Sequence, residues 1–392
     1  LKVTRGQRLN VHVDRLSVGG RGVARHDKLV VFIPDAAPGD DLEIELTLVK
    51  SNYSEARILN ILKRGPSRVQ PPCPVADRCG GCNWQHVSYA SQLIEKRGLV
   101  RESIRRFSGY DVSMESTVGE VVASPTEWRY RNRIQLHHRS GELGFFKRSS
   151  HEIVNIDDCL ITETAITDRF SDLKRQFSSE APGRFEVFIT TGQEVKTRGV
   201  ANREAEGGDG DEFDGNAFSQ VNTRQNENLI SAVLDAATRA VDRNSAKPIF
   251  DFYSGNGNFT FPLAKTFVAS PITAVELNRE SCKFALEKAS SEFPGRGVKI
   301  VESGVEGFLR TEPSLKNSLV LLDPPRTGCS TEVSQFVSQA RPHTLIYVSC
   351  NPVTLGRDLK IYREAGFKLV SVQPFDMFPQ TDHVETLAVL QS

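Results

Sequence analysis

Cys350 follows directly on an apolar run, Leu345-Ile346-Tyr347-Val348, within the stretch YVSCNPVT from Tyr347 to Thr354. A thiol at the carboxyl end of a strand in an α/β domain lies where ligands and chemistry collect. Two other segments bear on the same domain. Asp251 to Phe259 reads DFYSGNGNF, a glycine-rich turn, and Asp376 to Glu385 reads DMFPQTDHVE, an acidic run. A nucleophile, a ligand cradle and a carboxylate base together point to covalent catalysis.

In the glycine-rich turn, Gly255 and Gly257 let the backbone approach a ligand closely. The third glycine of a dinucleotide-binding turn is replaced by Thr260. That disfavours a pyrophosphate and suits S-adenosylmethionine, which carries no phosphate. Glu276 ends the next strand about 20 residues on, where an acid accepts hydrogen bonds from both ribose hydroxyls. Asp323-Pro-Pro-Arg326-Thr-Gly328 closes a further strand. Amino-group methyltransferases carry an aromatic residue after such a proline pair, and cytosine methyltransferases a cysteine beside it. This chain has neither. A thiolate at Cys350 is a soft nucleophile toward an electron-poor double bond, such as carbon 6 of uracil. Attack there makes carbon 5 nucleophilic toward a sulfonium methyl. A base must then remove the carbon 5 proton, and Glu385 is the candidate. The plainer readings are a small buried apolar cysteine, an exposed strand-end carboxylate and a rigid proline turn.

These residues need a scaffold. From Ala217 on, strand patterns at Pro248–Tyr253, Ile272–Leu277, Val298–Glu302, Leu319–Leu322, Leu345–Val348, Phe367–Val372 and Glu385–Leu390 alternate with helices, the first at Asn226–Arg243. This predicts a doubly wound, Rossmann-like α/β domain of about seven strands over residues 216–392. Residues 1–61 alternate in a β manner around Gly19, Gly20, Gly22 and Pro38-Gly39-Asp40, which predicts a small OB-like barrel. Residues 62–215 form a central α+β domain, with a helix over Tyr89–Phe107 and strands at Trp128–His137, Leu143–Lys147 and Arg184–Thr191. On the first of those strands Arg129, Arg131 and Arg133 would share one face and grip phosphates; a solvated basic face is the plainer reading. Glu204–Asp214 reads as a surface loop, not a calcium loop.

Four further cysteines form a second constellation: Cys73, Cys79 and Cys82, with Cys159 far downstream. Four thiolates hold a tetrahedral zinc or a cubane iron–sulfur cluster. Zinc sites usually show two close pairs, so a triplet plus a distant single favours the cluster. Cys282 and Cys329 read as incidental.

Across 392 residues the net charge is zero, which says nothing about a polyanionic partner. Its distribution says more. Seven Lys/Arg face Asp14 and Asp27 between Lys2 and Lys28, and Ile61–Tyr110 is again basic. Such patches fit nucleic-acid contact. No apolar run is long enough to span a membrane, and no signal peptide pattern is present. Seven cysteines without a secretory signal predict a reducing cytoplasm.

The motifs DPPRTG, LIYVSCNPVT and DMFPQTDHVE, taken together, resemble the RNA uridine-5-methyltransferase family, and the resemblance extends over essentially the whole chain. It implies Cys350 as nucleophile and Glu385 as proton acceptor. It also implies S-adenosylmethionine contacts at Gln220, Tyr253, Asn258, Glu276 and Asp323, beside Gly255 of the turn. The N-terminal 60 residues resemble a TRAM domain, an RNA-binding barrel. Members acting on ribosomal RNA carry a [4Fe-4S] cluster at the spacing of Cys73, Cys79, Cys82 and Cys159. The expected partner is a structured RNA, 23S rRNA first and the T-loop uridine of tRNA second, with no obligate protein partner. The rival of another class is a non-catalytic iron–sulfur RNA-binding factor.

Overall fold

The computed structural model describes residues 3–113, 117–178, 180–190, 192–199, 220–311 and 313–392. The acidic stretch Glu204–Asp214 and the expected domain boundary at 215/216 lie outside them. By contacts the chain divides into two compact units. One comprises Leu1–Leu99, Pro125–Gly208 and Phe378–His383, the other Val100–Ser124, Asp209–Met377 and Val384–Ser392.

The first unit opens with strands β1 (Arg8–Leu16), β2 (Gly22–His26), β3 (Leu29–Ile33), β4 (Asp41–Val49) and β5 (Tyr53–Lys63), closed into a barrel in the order β1-β2-β3-β5-β4. Alternation explains it: Leu9, Val11 and Val13 of β1 and Leu42, Ile44 and Leu46 of β4 point inward, and their neighbours face water. Closure removes the exposed edges. Helix α1 (Tyr89–Ser103) follows, and its last turn widens into a π-type segment at Ile104–Ser108.

A second sheet of the first unit holds β6 (Arg133–Arg139), β7 (Glu142–Phe146), β8 (Ile153–Asn155), β9 (Gly183–Ile189) and β10 (Val195–Gly199), in the order β10-β9-β6-β7-β8. Helices α2 (Thr164–Thr167) and α3 (Phe170–Gln176) pack Ile166, Phe170 and Leu173 against its inner face. Phe378–His383 is bound into this unit by its backbone. Lys96 Nζ donates to the Phe378 carbonyl (3.0 Å), the Tyr130 hydroxyl to that of Pro379 (3.0 Å) and the Trp84 amide to that of Gln380 (3.0 Å). The Gln380 amide donates to Gln92 Oε1 and that of Asp382 to Asn83 Oδ1.

In the second unit, α4 (Thr223–Ala240) precedes β11 (Ile249–Phe252), α5 (Thr260–Thr266), β12 (Ile272–Glu276), α6 (Arg279–Glu292), β13 (Val298–Glu302) and α7 (Val305–Leu309). Then come β14 (Leu319–Leu322), α8 (Thr331–Ala340), β15 (Thr344–Ser349), α9 (Pro352–Glu364), β16 (Lys368–Phe375) and β17 (Glu385–Gln391). The seven-stranded sheet runs β13-β12-β11-β14-β15-β17-β16. β11 to β15 are parallel, and β17 is antiparallel to β15 and β16. Central strands such as β14 (LVLL) are buried along their whole length, which is why they read as unbroken apolar runs. Val118 and Val122 add bridges to Val372 and Phe375.

One expectation is corrected here. Trp128–His137 is not one strand, because β6 begins only at Arg133. Arg129 has φ +53° and turns the chain, and Tyr130 and Arg131 bond the Ile161 carbonyl. Arg129, Arg131 and Arg133 therefore do not share a strand face.

Candidate active site

The register of the sheet assembles the site. β11, β12, β14 and β15 run parallel, so their carboxyl ends lie on one edge. Tyr253, Glu276, Asp323 and Cys350 sit at or just past those ends. β11 pairs with both β12 and β14, and the order reverses there, which opens a crevice at that edge. β17 runs the other way, so its first residue reaches the same edge. Ser349 faces Thr386 as the last pair of the β15–β17 ladder, and Cys350 and Glu385 are the residues that extend that row along the two chains.

Charge in this row is concentrated and dry. Burial pushes the Cys350 thiol up to about 12, with Glu385 and Asp323 adding to the rise and Arg326 opposing it. Glu385, only 3% exposed, is also raised by burial and then by Asp323, and again Arg326 opposes. One guanidinium therefore acts on both candidate groups. Arg326 belongs to the turn after β14, and its carbonyl accepts from Asn351 Nδ2 and Thr354 Oγ1, both at 3.2 Å.

The glycine-rich turn bends as a close-approach loop must. Tyr253 (φ +62°), Gly255 (φ +53°) and Gly257 (φ +85°) all take left-handed backbone. A Cβ on Gly257 would meet the Phe261 ring at 2.3 Å. The Gly255 amide donates to Glu276 Oε2 (2.8 Å) and the Asn278 amide to Oε1 (2.6 Å), which fixes the Glu276 carboxylate. Beneath it, burial raises Asp251 to about 7 and Asp323 to about 8, and Asp251 and Glu276 add to the rise of Asp323. Asp251 accepts from Thr260 Oγ1 (2.5 Å) at one oxygen, while its other oxygen is buried without a hydrogen-bond partner among the described residues. Three converging carboxylates suit a cationic ligand, and a sulfonium is one.

The other expected contacts are more peripheral. Asn258 exchanges both amide groups with Asn226 of α4 (2.8 and 3.1 Å). Gln220 is half-buried just before α4, whose N-cap Asn222 accepts from the Gln225 amide.

Sequence reading gave no role to Asp358, Tyr347 or Cys329. Asp358 on α9 is 1% exposed and accepts from the Tyr347 hydroxyl (2.6 Å) and the Cys329 amide (2.9 Å). Cys329 is thus part of an anchored turn, not an incidental loop residue. The cue was a carboxylate on the buried face of an amphipathic helix.

Cys73, Cys79, Cys82 and Cys159 line one cavity of about 40 Å³ in the first unit, together with Arg131. Burial raises the Cys79, Cys82 and Cys159 thiols, and Cys82 reaches about 12. Arg131 lowers Cys82 and Cys159, and its buried Nε has no hydrogen-bond partner among the described residues. Among those residues no three His, Cys, Asp or Glu side chains are arranged around a single metal ion. The flanking arginines are engaged internally. Arg129 pairs with Asp158 (2.7 Å), and Arg133 lies 3.5 Å from the buried Glu186.

A family model described as a TRAM domain matches residues 2–59, and one described as tRNA (Uracil-5-)-methyltransferase matches residues 210–392. An uncharacterized RNA methyltransferase of Bdellovibrio bacteriovorus is 42% identical, over 98% of this chain and 95% of that protein. Another, of Thermosynechococcus vestitus, is 30% identical, over 98% of each. The fold is shared with the Pyrococcus abyssi tRNA (uracil-54, C5)-methyltransferase, solved with S-adenosyl-L-homocysteine. The TM-score is 0.71 at 23% identity, over 97% of this chain and 100% of that one.

Proposed function

The chain belongs to the RNA uracil-5-methyltransferase family, and from that premise we propose that Cys350 and Glu385 carry out methyl transfer to carbon 5 of a uridine in a structured RNA. The observation that carries this reading is that Cys350 and Glu385 directly extend the last pair of the β15–β17 ladder, Ser349 and Thr386, at the sheet edge where the glycine-rich turn opens.

Cys350, as thiolate, bonds to carbon 6 of a uracil flipped out of its stack. The electrons of the carbon 5–carbon 6 double bond move toward the carbon 4 oxygen, leaving carbon 5 nucleophilic. Tyr253, Gly255, Glu276 and Asp323, with Gln220 and Asn258, would hold S-adenosylmethionine, which would supply the methyl group to carbon 5 and yield S-adenosylhomocysteine. Glu385 then takes the carbon 5 proton, the double bond re-forms, and the Cys350 sulfur leaves as thiolate. Arg326 favours the ionised forms of both groups. Glu385 is buried and Cys350 half-buried, which limits the access of water to the adduct.

Cys73, Cys79, Cys82 and Cys159 would hold a four-iron cluster, with Arg131 offsetting its charge, in a structural role. In this reading residues 1–61 grip RNA, 62–215 carry the cluster and 216–392 the chemistry. The pairing of barrel and thiol cavity supports 23S rRNA as substrate, with the T-loop uridine of tRNA as the alternative. Seven cysteines free of disulfides support a cytoplasmic setting.

Release of tritium from 5-tritiated uridine in 23S rRNA and in tRNA tests the chemistry and the substrate together. Cys350→Ala should abolish release. Glu385→Gln should accumulate a protein–RNA adduct on a denaturing gel. Release by neither RNA would leave the non-catalytic binding factor.

A further inference from the structure

The turn that carries Arg326 is gripped from below by a single buried carboxylate. Asp358 Oδ2 accepts the Cys329 amide at 2.9 Å and the Tyr347 hydroxyl at 2.6 Å, and that hydroxyl itself lies 3.3 Å from the same amide. Asp358 Oδ1 accepts from Arg357 Nε at 2.7 Å. Held in that orientation, Arg357 donates to the carbonyls of Thr327 (2.9 Å) and Cys329 (3.1 Å). Gly328 (φ +77°) lies so close that a Cβ there would fall 2.5 Å from Asp358 Oδ2. Thr327, Gly328 and Cys329 are thus all fixed on α9, immediately after Arg326. Asn351 and Thr354, at the start of the same helix, hold the Arg326 carbonyl.

We propose that Asp358 is a positioning residue for the reaction: it fixes the turn Asp323–Cys329 on α9 so that the Arg326 guanidinium stays beside Cys350 and Glu385. Asp358 itself touches neither substrate nor cofactor. Asp323 is held separately at the carboxyl end of β14, its amide donating to the Phe252 carbonyl at 3.3 Å, so releasing Thr327–Cys329 frees Arg326 and leaves Asp323 in place. This inference rests on the assignment of Cys350 as nucleophile.

The test measures covalent adduct formation with an RNA containing 5-fluorouridine, which cannot lose a carbon 5 proton and so stops at the adduct. Asp358→Ala removes the acceptor of the Cys329 amide, the Tyr347 hydroxyl and Arg357 Nε. Asp358→Asn keeps an oxygen for the Cys329 amide. Adduct formation should slow at least tenfold in the alanine variant and less than about threefold in the asparagine variant, which is the size of effect that separates loss of a positioning contact from its retention. S-adenosylmethionine affinity, measured by calorimetry, should change less than about twofold in both. Wild-type adduct formation by Asp358→Ala overturns the inference. So does a parallel collapse of adduct formation and cofactor binding in both variants, which would mark Asp358 as a folding residue only. Cys350→Ala is the separate control: adduct in that variant would overturn the nucleophile assignment itself.

Discussion

The side-chain amide of Asn351, the residue after Cys350, donates to the backbone carbonyl of Arg326 at 3.2 Å. Two turns that leave neighbouring strands, one bearing the thiol and one the guanidinium, are thereby tied together. The same Asn351 caps α9, its Oδ1 accepting from the Val353 amide at 3.0 Å. Its two functions can be separated by substitution.

Asn351→Asp keeps the cap and loses the donor. Stability to urea should hold, while methyl transfer falls about tenfold, the effect of roughly 1.4 kcal/mol on the barrier. Asn351→Ala loses both and should also cost about 1 kcal/mol of stability. Equal activity in the asparagine and aspartate forms would argue that the tie is idle.

Adduct formation should climb with pH between about 6 and 9. Burial, Glu385 and Asp323 hold Cys350 as a thiol well above neutrality, and only the thiolate attacks. Arg326→Gln removes the one neighbour that lowers the thiol and should slow the reaction at every pH. A flat profile with 5-fluorouridine RNA would exclude thiol ionisation as the limiting event.

The unliganded protein should lose stability as pH rises. Asp251 and Asp323 are raised to about 7 and 8 from 3.8, so their contribution is complete below about 4 and vanishes as pH passes through 7 and 8. A cationic ligand offsets the ionised forms. Thermal melts should therefore show a larger gain from S-adenosylmethionine at pH 8.5 than at pH 6.

Gly257→Ala should weaken cofactor binding at least tenfold by calorimetry. Its Cβ would meet Phe261 at 2.3 Å in a left-handed residue, so either the turn or the ring must move. Such overpacking costs about 1–3 kcal/mol.

Cys82→Ser should lower bound iron and sulfide in protein purified without oxygen, together with the thermal midpoint. Unchanged iron would place any cluster elsewhere.

Much of the α/β domain was legible because central parallel strands are apolar throughout, and Gly, Asp and Cys mark their carboxyl ends. Glu385 is a candidate from its motif, but its burial depends on β17 running antiparallel beside β15, which the motif does not report. The arginines misled for a related reason. Trp128–Arg133 alternates as a strand does, yet Arg129 takes φ +53° and bonds Asp158, a partner 29 residues away. Local period cannot report a distant partner of that kind. Asp358 stayed hidden because a carboxylate on a helix reads as solvated until its two donors, from β15 and the turn after β14, are in view.

Neither compact unit is a single length of chain. A fragment cut at residue 220 would keep Phe378–His383 but lose Asn83, Trp84, Gln92, Lys96 and Tyr130, which satisfy its backbone. It would also lose Val118 and Val122, which bridge to Val372 and Phe375. The catalytic half therefore has no autonomous gene-level boundary. Shuffling it onto another RNA-binding module would demand five simultaneous joins, so retargeting this scaffold to a new RNA has to proceed by changing side chains.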